Sequence, residues 1–211
     1  MKKLSLLVVA ATMSLMGLAQ DFESIMNENI QRLEQKTEKV DYAKLSVVFE
    51  TLAEKNPERF EAKYYQAFCL IENAYNTKGT SEKDTQLIKA ESIINKAIEQ
   101  DKANAELYIL KAMCYQMMID VNPQKRGYLY SQKAAKELAL ALEIDKKNPR
   151  YYFLKGQNVF YTPEQFGGGK AKAKPYFEKA NKSYKSEKRK NKLDPIWGQK
   201  TNAQQLEVCK K

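Results

Sequence analysis

The sequence predicts an all-α chain, a solenoid of stacked helix-turn-helix units. Three observations predict it. The 211 residues contain only 8 Gly and 6 Pro among abundant Lys, Glu, Ala and Leu, the composition that long helices require. Helix-stopping punctuation recurs as Asn56-Pro57-Glu58, Asp101-Lys102-Ala103-Asn104-Ala105-Glu106 and Asp145-Lys146-Lys147-Asn148-Pro149-Arg150, each placing Asn, Asp or Pro where one helix must end and the next be capped. After each punctuation a small residue stands at a matched position, Ala67, Ala112 and Gly156, at separations of 45 and 44 residues.

The first residues address the chain to a compartment. Lys2 and Lys3 precede an apolar run over residues 4–18, which closes on Gly17-Leu18-Ala19 before polar Gln20, the layout of a secretory signal peptide cleaved after Ala19. A retained membrane anchor needs about 20 apolar residues, and this run is shorter and interrupted by Ser5, Thr12 and Ser14. No cysteine follows it to carry a lipid. The expectation is a periplasmic or secreted protein whose single domain occupies residues 20–211.

Within that domain, residues 20–56 read as a degenerate first unit. Phe22, Ile25, Met26, Ile30 and Leu33 recur at helical spacing, and a second helix follows around Tyr42 to Glu54 with Leu45, Phe49 and Leu52. Residues 57–193 hold three helix pairs. The second helix of each carries a small, large, small triad at spacings of four and three, which places all three on one face: Ala90, Ile94, Ala97; Ala134, Leu138, Ala141; Ala173, Phe177, Ala180. A fourth punctuation, Asp194-Pro195-Ile196-Trp197, introduces a capping helix over residues 196–208, within a C-terminal cap of residues 194–211, and the total is about eight helices. Cys69 and Cys114 fall at equivalent places in two units. Neighbouring packed helices lie about 8–10 Å apart, too far for a bridge, so both are expected as buried thiols.

The segment Tyr152-Phe153-Leu154-Lys155-Gly156 followed by Phe177-Glu178-Lys179-Ala180, with the Ala90–Ala97 and Ala134–Ala141 triads, resembles the tetratricopeptide repeat (TPR) family over residues 41–194. The resemblance implies a right-handed α-solenoid with a concave face lined by the first helices. It carries over Tyr64, Phe68 and Ile71, then Ile109, Met113, Gln116 and Met117, then Phe153, Gln157, Phe160 and Tyr161 as that face, with roughly half of them on an open groove and the rest filling the core. The period here is near 44 residues and not 34. The intervals from Ala67 to Ala90, Ala112 to Ala134 and Gly156 to Ala173 locate the excess at the turn between the helices of each unit. The third of these, over residues 162–169, also resembles the proline- and glycine-rich turn of non-standard TPR proteins of bacterial envelopes, some of them associated with solute transporters. The function expected on this basis is a non-catalytic scaffold holding a protein or peptide partner of the cell envelope on the concave face; the alternative is a small-molecule or lipid-binding accessory protein of an envelope transport system, with a closed pocket.

Catalysis has little to work with. The chain contains no His, which removes Ser-His-Asp and Cys-His nucleophilic schemes and His-based zinc hydrolysis, and three scattered cysteines do not make a metal site. No cofactor is expected. Gly167-Gly168-Gly169-Lys170 is not a phosphate loop, because Glu164 stands where the first glycine should and Ala171 where a hydroxyl should. Charge is concentrated in one place. Of residues 170–192, ten are basic and two acidic, and the remainder of the exported chain is balanced. Lys170, Lys172, Lys174, Lys182, Lys185, Lys188, Arg189, Lys190 and Lys192 are therefore either a solvated lysine-rich face or a patch for an anionic partner. Nucleic acid is not expected, since the run interleaves few stacking side chains beyond Tyr176 and Tyr184.

Overall fold

The punctuation residues cap helices as their chemistry requires. Asn104 accepts from the Glu106 backbone N–H at 3.1 Å, and Asp41 and Asn122, outside the punctuation segments, accept from Lys44 at 2.9 Å and from Lys125 at 3.1 Å. Asn148 accepts from the N–H groups of both Arg150 and Tyr151. Pro123 and Pro149 stand at the starts of the two helices that follow, where a missing N–H costs nothing.

The computed structural model describes residues 22–33 and 40–210, and the stretch read as a signal peptide lies outside them. Among the described residues there are nine α-helices, one more than the sequence suggested, and no strand. They are α1 (22–33), α2 (Tyr42–Lys55), α3 (Phe60–Asn76), α4 (Thr80–Gln100), α5 (Ala105–Val121), α6 (Pro123–Ile144), α7 (Pro149–Tyr161), α8 (Lys170–Ser186) and α9 (Gln199–Val208). No helix among them is long and apolar enough to cross a membrane.

From α2 onward each helix packs on its neighbours in the chain, and α3, α5 and α7 also touch side by side. The first helices thus form one layer and α4, α6 and α8 lie against it. All nine triad residues are buried, as are Ala67, Ala112 and Gly156. In the first unit Phe22, Met26, Ile30, Leu45, Phe49 and Leu52 are buried, while Ile25 points outward. Cys69 and Cys114 are free, buried thiols.

The extra residues of the long period are placed differently from the sequence expectation. They lengthen the helices rather than the turns. Helices α4 and α6 run 21 and 22 residues, three residues separate α3 from α4, and Asn122 alone joins α5 to α6, closing one helix and capping the next. Only between α7 and α8 is there a true loop, with a 3-10 turn over Glu164–Phe166 and Gly167 and Gly169 at φ +88° and +99°. The last helix also starts late. Ile196 and Trp197 are not helical but belong to an extended segment, residues 187–198, that leaves the end of α8.

Gly156 shows how tight the α7–α8 contact is. A Cβ at that position would lie 2.6 Å from Phe177 Cε1 and 2.8 Å from Cδ1, and Phe177 is itself fully buried. Gly156→Ala is therefore expected to destabilise the fold by about 1–3 kcal/mol through overpacking. Combining it with Phe177→Leu should cost less than the two single changes added together. Urea unfolding of the three variants checks this, and strict additivity would remove the steric explanation.

Candidate functional site

The first helices present their expected face in register. Tyr64, Ile109 and Phe153 form the level nearest the helix starts, followed by Phe68, Met113 and Gln157, then Ile71, Gln116 and Phe160, then Glu72, Met117 and Tyr161. Gln116 Nε2 donates to the Leu154 carbonyl at 2.9 Å and ties α5 to α7 across this face.

The first level and Phe68 of the second are covered by the chain itself. Residues 187–198 run across the starts of α3, α5 and α7 as a strap. Tyr65 Oη donates to the Leu193 carbonyl at 2.9 Å, the Trp197 indole N–H donates to Tyr64 Oη at 2.8 Å, and Tyr184 Oη donates to the Trp197 carbonyl at 3.2 Å. The Trp197 ring stacks on Phe68 with centroids 5.7 Å apart and meets Phe153 at 6.5 Å. Burial pushes the Tyr64 and Tyr65 phenols well up, so both remain neutral hydroxyls. A cavity of about 130 Å³ remains under the strap, lined chiefly by Phe60, Tyr64, Tyr65, Glu106, Leu193 and Pro195.

One buried cation holds the strap down. Arg150 is 2% exposed. Its Nε donates to both Glu106 oxygens at 2.9 Å, its Nη groups pair with Glu187 at the start of the strap, and its guanidinium sits 6.0 Å from the Trp197 ring centre. Asn148 Nδ2 completes the cluster with a bond to Glu106 at 2.6 Å. Burial pulls the guanidinium down, but Glu106 and Glu187 more than offset this and it stays charged. The register explains the pairing. Glu61, Glu106 and Arg150 are equivalent in the three units, and the third replaces an acid by the base that its neighbour needs.

Five of the eleven residues expected on the concave face, Tyr64, Phe68, Ile71, Ile109 and Phe153, are buried by the strap and the adjoining helices and are not part of an open groove. The other six form the far end of the face. Met113, Gln116, Met117, Gln157 and Phe160 are half-buried and Tyr161 is 69% exposed, its ring edge-on to Phe160 at 5.0 Å. Gln157 makes no side-chain hydrogen bond to a described residue. Of the expected anionic-partner residues, Lys174 is half-buried and Lys170, Lys172, Lys182, Lys185, Lys188, Arg189, Lys190 and Lys192 are exposed. Sequence reasoning missed Arg150, Glu187, Leu193 and Trp197 as a group. The chain's only tryptophan, two residues after Pro195 and just before a glycine, was the available signal that this segment is not a plain helix start.

Replacing Arg150 by Gln leaves Glu106 buried without its counter-charge, and a loss of about 3–5 kcal/mol of stability is expected. Glu187→Gln should cost far less and yet loosen the strap, seen as a red shift of the single-tryptophan emission. If Trp197 emission were unchanged in both variants, Arg150 would not be what fixes the strap.

Glu72, the counterpart of Met117 and Tyr161 in the first full unit, pairs with no cation among the described residues, and burial pushes its carboxyl up to about 7. The folded chain then binds more protons than the unfolded one between about pH 4.3 and pH 7, so the protonated form's contribution is complete at low pH and is lost as pH rises through 7. Glu72→Gln should match the parent in stability at about pH 4.3 and exceed it above pH 7. Denaturant midpoints at the two ends of that window measure the difference.

No family model matches the chain, and no curated protein matches it. Among solved structures the chain is similar to the HusA haemophore from Porphyromonas gingivalis, with a TM-score of 0.81 and 35% sequence identity over 90% of this chain and 92% of that one.

Proposed function

Because the chain belongs to the family of the HusA haemophore, we propose that it is an exported, non-catalytic carrier of haem or a closely related tetrapyrrole, held on the open end of the first-helix face. Family membership across nine-tenths of the chain is the observation that carries this reading. The side chains at that end suit such a cargo. A tetrapyrrole is a flat apolar disc with carboxylates on one edge. Met113, Met117, Phe160 and Tyr161 offer adaptable and aromatic contacts to the disc, and Gln157 offers the edge an amide that bonds to no other side chain or carbonyl among the described residues. Trp197 stands at the near limit of the same surface.

The sealed half of the face does not fit. Its cavity of about 130 Å³ is well below the roughly 300–1,000 Å³ of a small-molecule pocket. With no His in the chain, an iron ligand would have to come from Tyr161 or from Met113 and Met117, residue types that hold haem iron in other proteins. Cys69 and Cys114 are out of reach, because they are buried and burial pushes both thiols well up. Affinity then rests mainly on apolar area removed from water, at about 25 cal/mol per Å². The scaffold reading loses support for a specific reason. The half of the face best equipped to bind an extended peptide, with Tyr65 donating to a backbone carbonyl, already holds the chain's own strap.

Haem titrated into the protein should quench Trp197 emission and shift the porphyrin absorption band, with one site per chain. The double change Phe160→Ala, Tyr161→Ala should weaken binding by about tenfold or more, in proportion to the aromatic area lost, with the helical circular dichroism intact. Unquenched emission and an unshifted band at micromolar haem would overturn the proposal.

A further inference from the structure

Only two carboxylates lie between residues 170 and 192, and the structure turns one of them, Glu187, inward onto buried Arg150. Ten basic residues are left with Glu178 alone. Some cations elsewhere are paired, as in Lys89–Glu50, Lys111–Glu137 and bidentate Arg126–Asp84, whereas no described carboxylate lies within 4.0 Å of any of these ten charged groups. Helix α8 rests on Ala173, Phe177, Ala180 and Tyr184, so its lysines project from the remaining sides along about 25 Å of helix, and the strap extends the same charge.

We infer that this face of α8 and the adjoining strap is a docking surface for an anionic membrane headgroup layer. A protein partner suits it poorly, because the centre of a protein interface is apolar and aromatic and is depleted of lysine. Here the centre is lysine. A headgroup layer is a plane of negative charge that needs no such centre and attracts every lysine brought near it. At the end of the face Phe166, 74% exposed in the loop that leads into Lys170, is an aromatic ring placed to enter the headgroup level. The inference stands apart from the haem reading, since none of the cations discussed belongs to the proposed haem surface.

Flotation of the intact protein with vesicles of phosphatidylcholine, alone or mixed with phosphatidylglycerol, tests it. Binding is expected to the mixed vesicles only, and to disappear as added salt shortens the screening length from about 10 Å to about 3 Å. Charge reversal at Lys182, Lys185 and Lys188, each to Glu, should lower the bound fraction by about tenfold or more. The same change in net charge at Lys96, Lys136 and Lys147 should leave binding largely intact. The helical circular dichroism of both variants reports whether they are folded. Equal binding to both vesicle types, equal loss in the two variants, or retention on polyglutamate with no vesicle binding would each overturn the assignment.

Discussion

The structure depends on how closely paired helices approach one another. At Ala67, Ala112 and Gly156 the first helix of each unit has almost no side chain, and the second helix answers with a buried triad whose ends are alanine. Interiors pack at crystal-like density, so the contact fixes the helices' separation and rotation together. Phe177, lodged against Gly156, shows the limit, since even one added carbon would meet it at 2.6 Å. Because the same contact recurs at a near-constant interval, every first helix presents its outer residues at the same levels, and a continuous face results.

That face does two jobs along its length. Near the helix starts it is an aromatic groove covered by the strap, with Trp197 between Phe68 and Phe153 and the backbone carbonyls of Leu193 and Trp197 met by tyrosine hydroxyls. Near the helix ends it is open, methionine- and aromatic-rich, and carries the proposed tetrapyrrole surface. Arg150 separates the two by anchoring the strap through Glu187 while remaining tied to Glu106 of the preceding unit. The same pairing draws one of the two acids between residues 170 and 192 away from the lysines of α8 and the strap, so one buried cation shapes both the groove and the outer charge.

Particular residues show where sequence reasoning was sufficient. The triads, the caps at Asn104 and Asn148, and the buried thiols at Cys69 and Cys114 are local or periodic features, and each lies where its spacing placed it. The long period was legible as a number but not as a shape. Extra residues with good helix propensity extend a helix as readily as they fill a turn, and Asn122 proves able to serve as the whole connection between α5 and α6. Of the concave-face residues, the half that stays partly open was not separable from the half that is covered, because the cover comes from a segment more than thirty residues away from any residue it buries.

By itself, then, the sequence determined the helix pairs, their register, the side chains facing one way along α3, α5 and α7, the absence of imidazole chemistry and the concentration of positive charge near the C-terminus. These follow from composition, period and capping, which act within a turn or two of helix. Only the tertiary structure decided which part of the face is open, that Trp197 belongs to a strap and not to a helix, and that Glu187 is spent on Arg150. Those outcomes rest on contacts such as Trp197 to Tyr64 and Leu193 to Tyr65, which join residues 133 and 128 positions apart and leave no periodic trace in the chain.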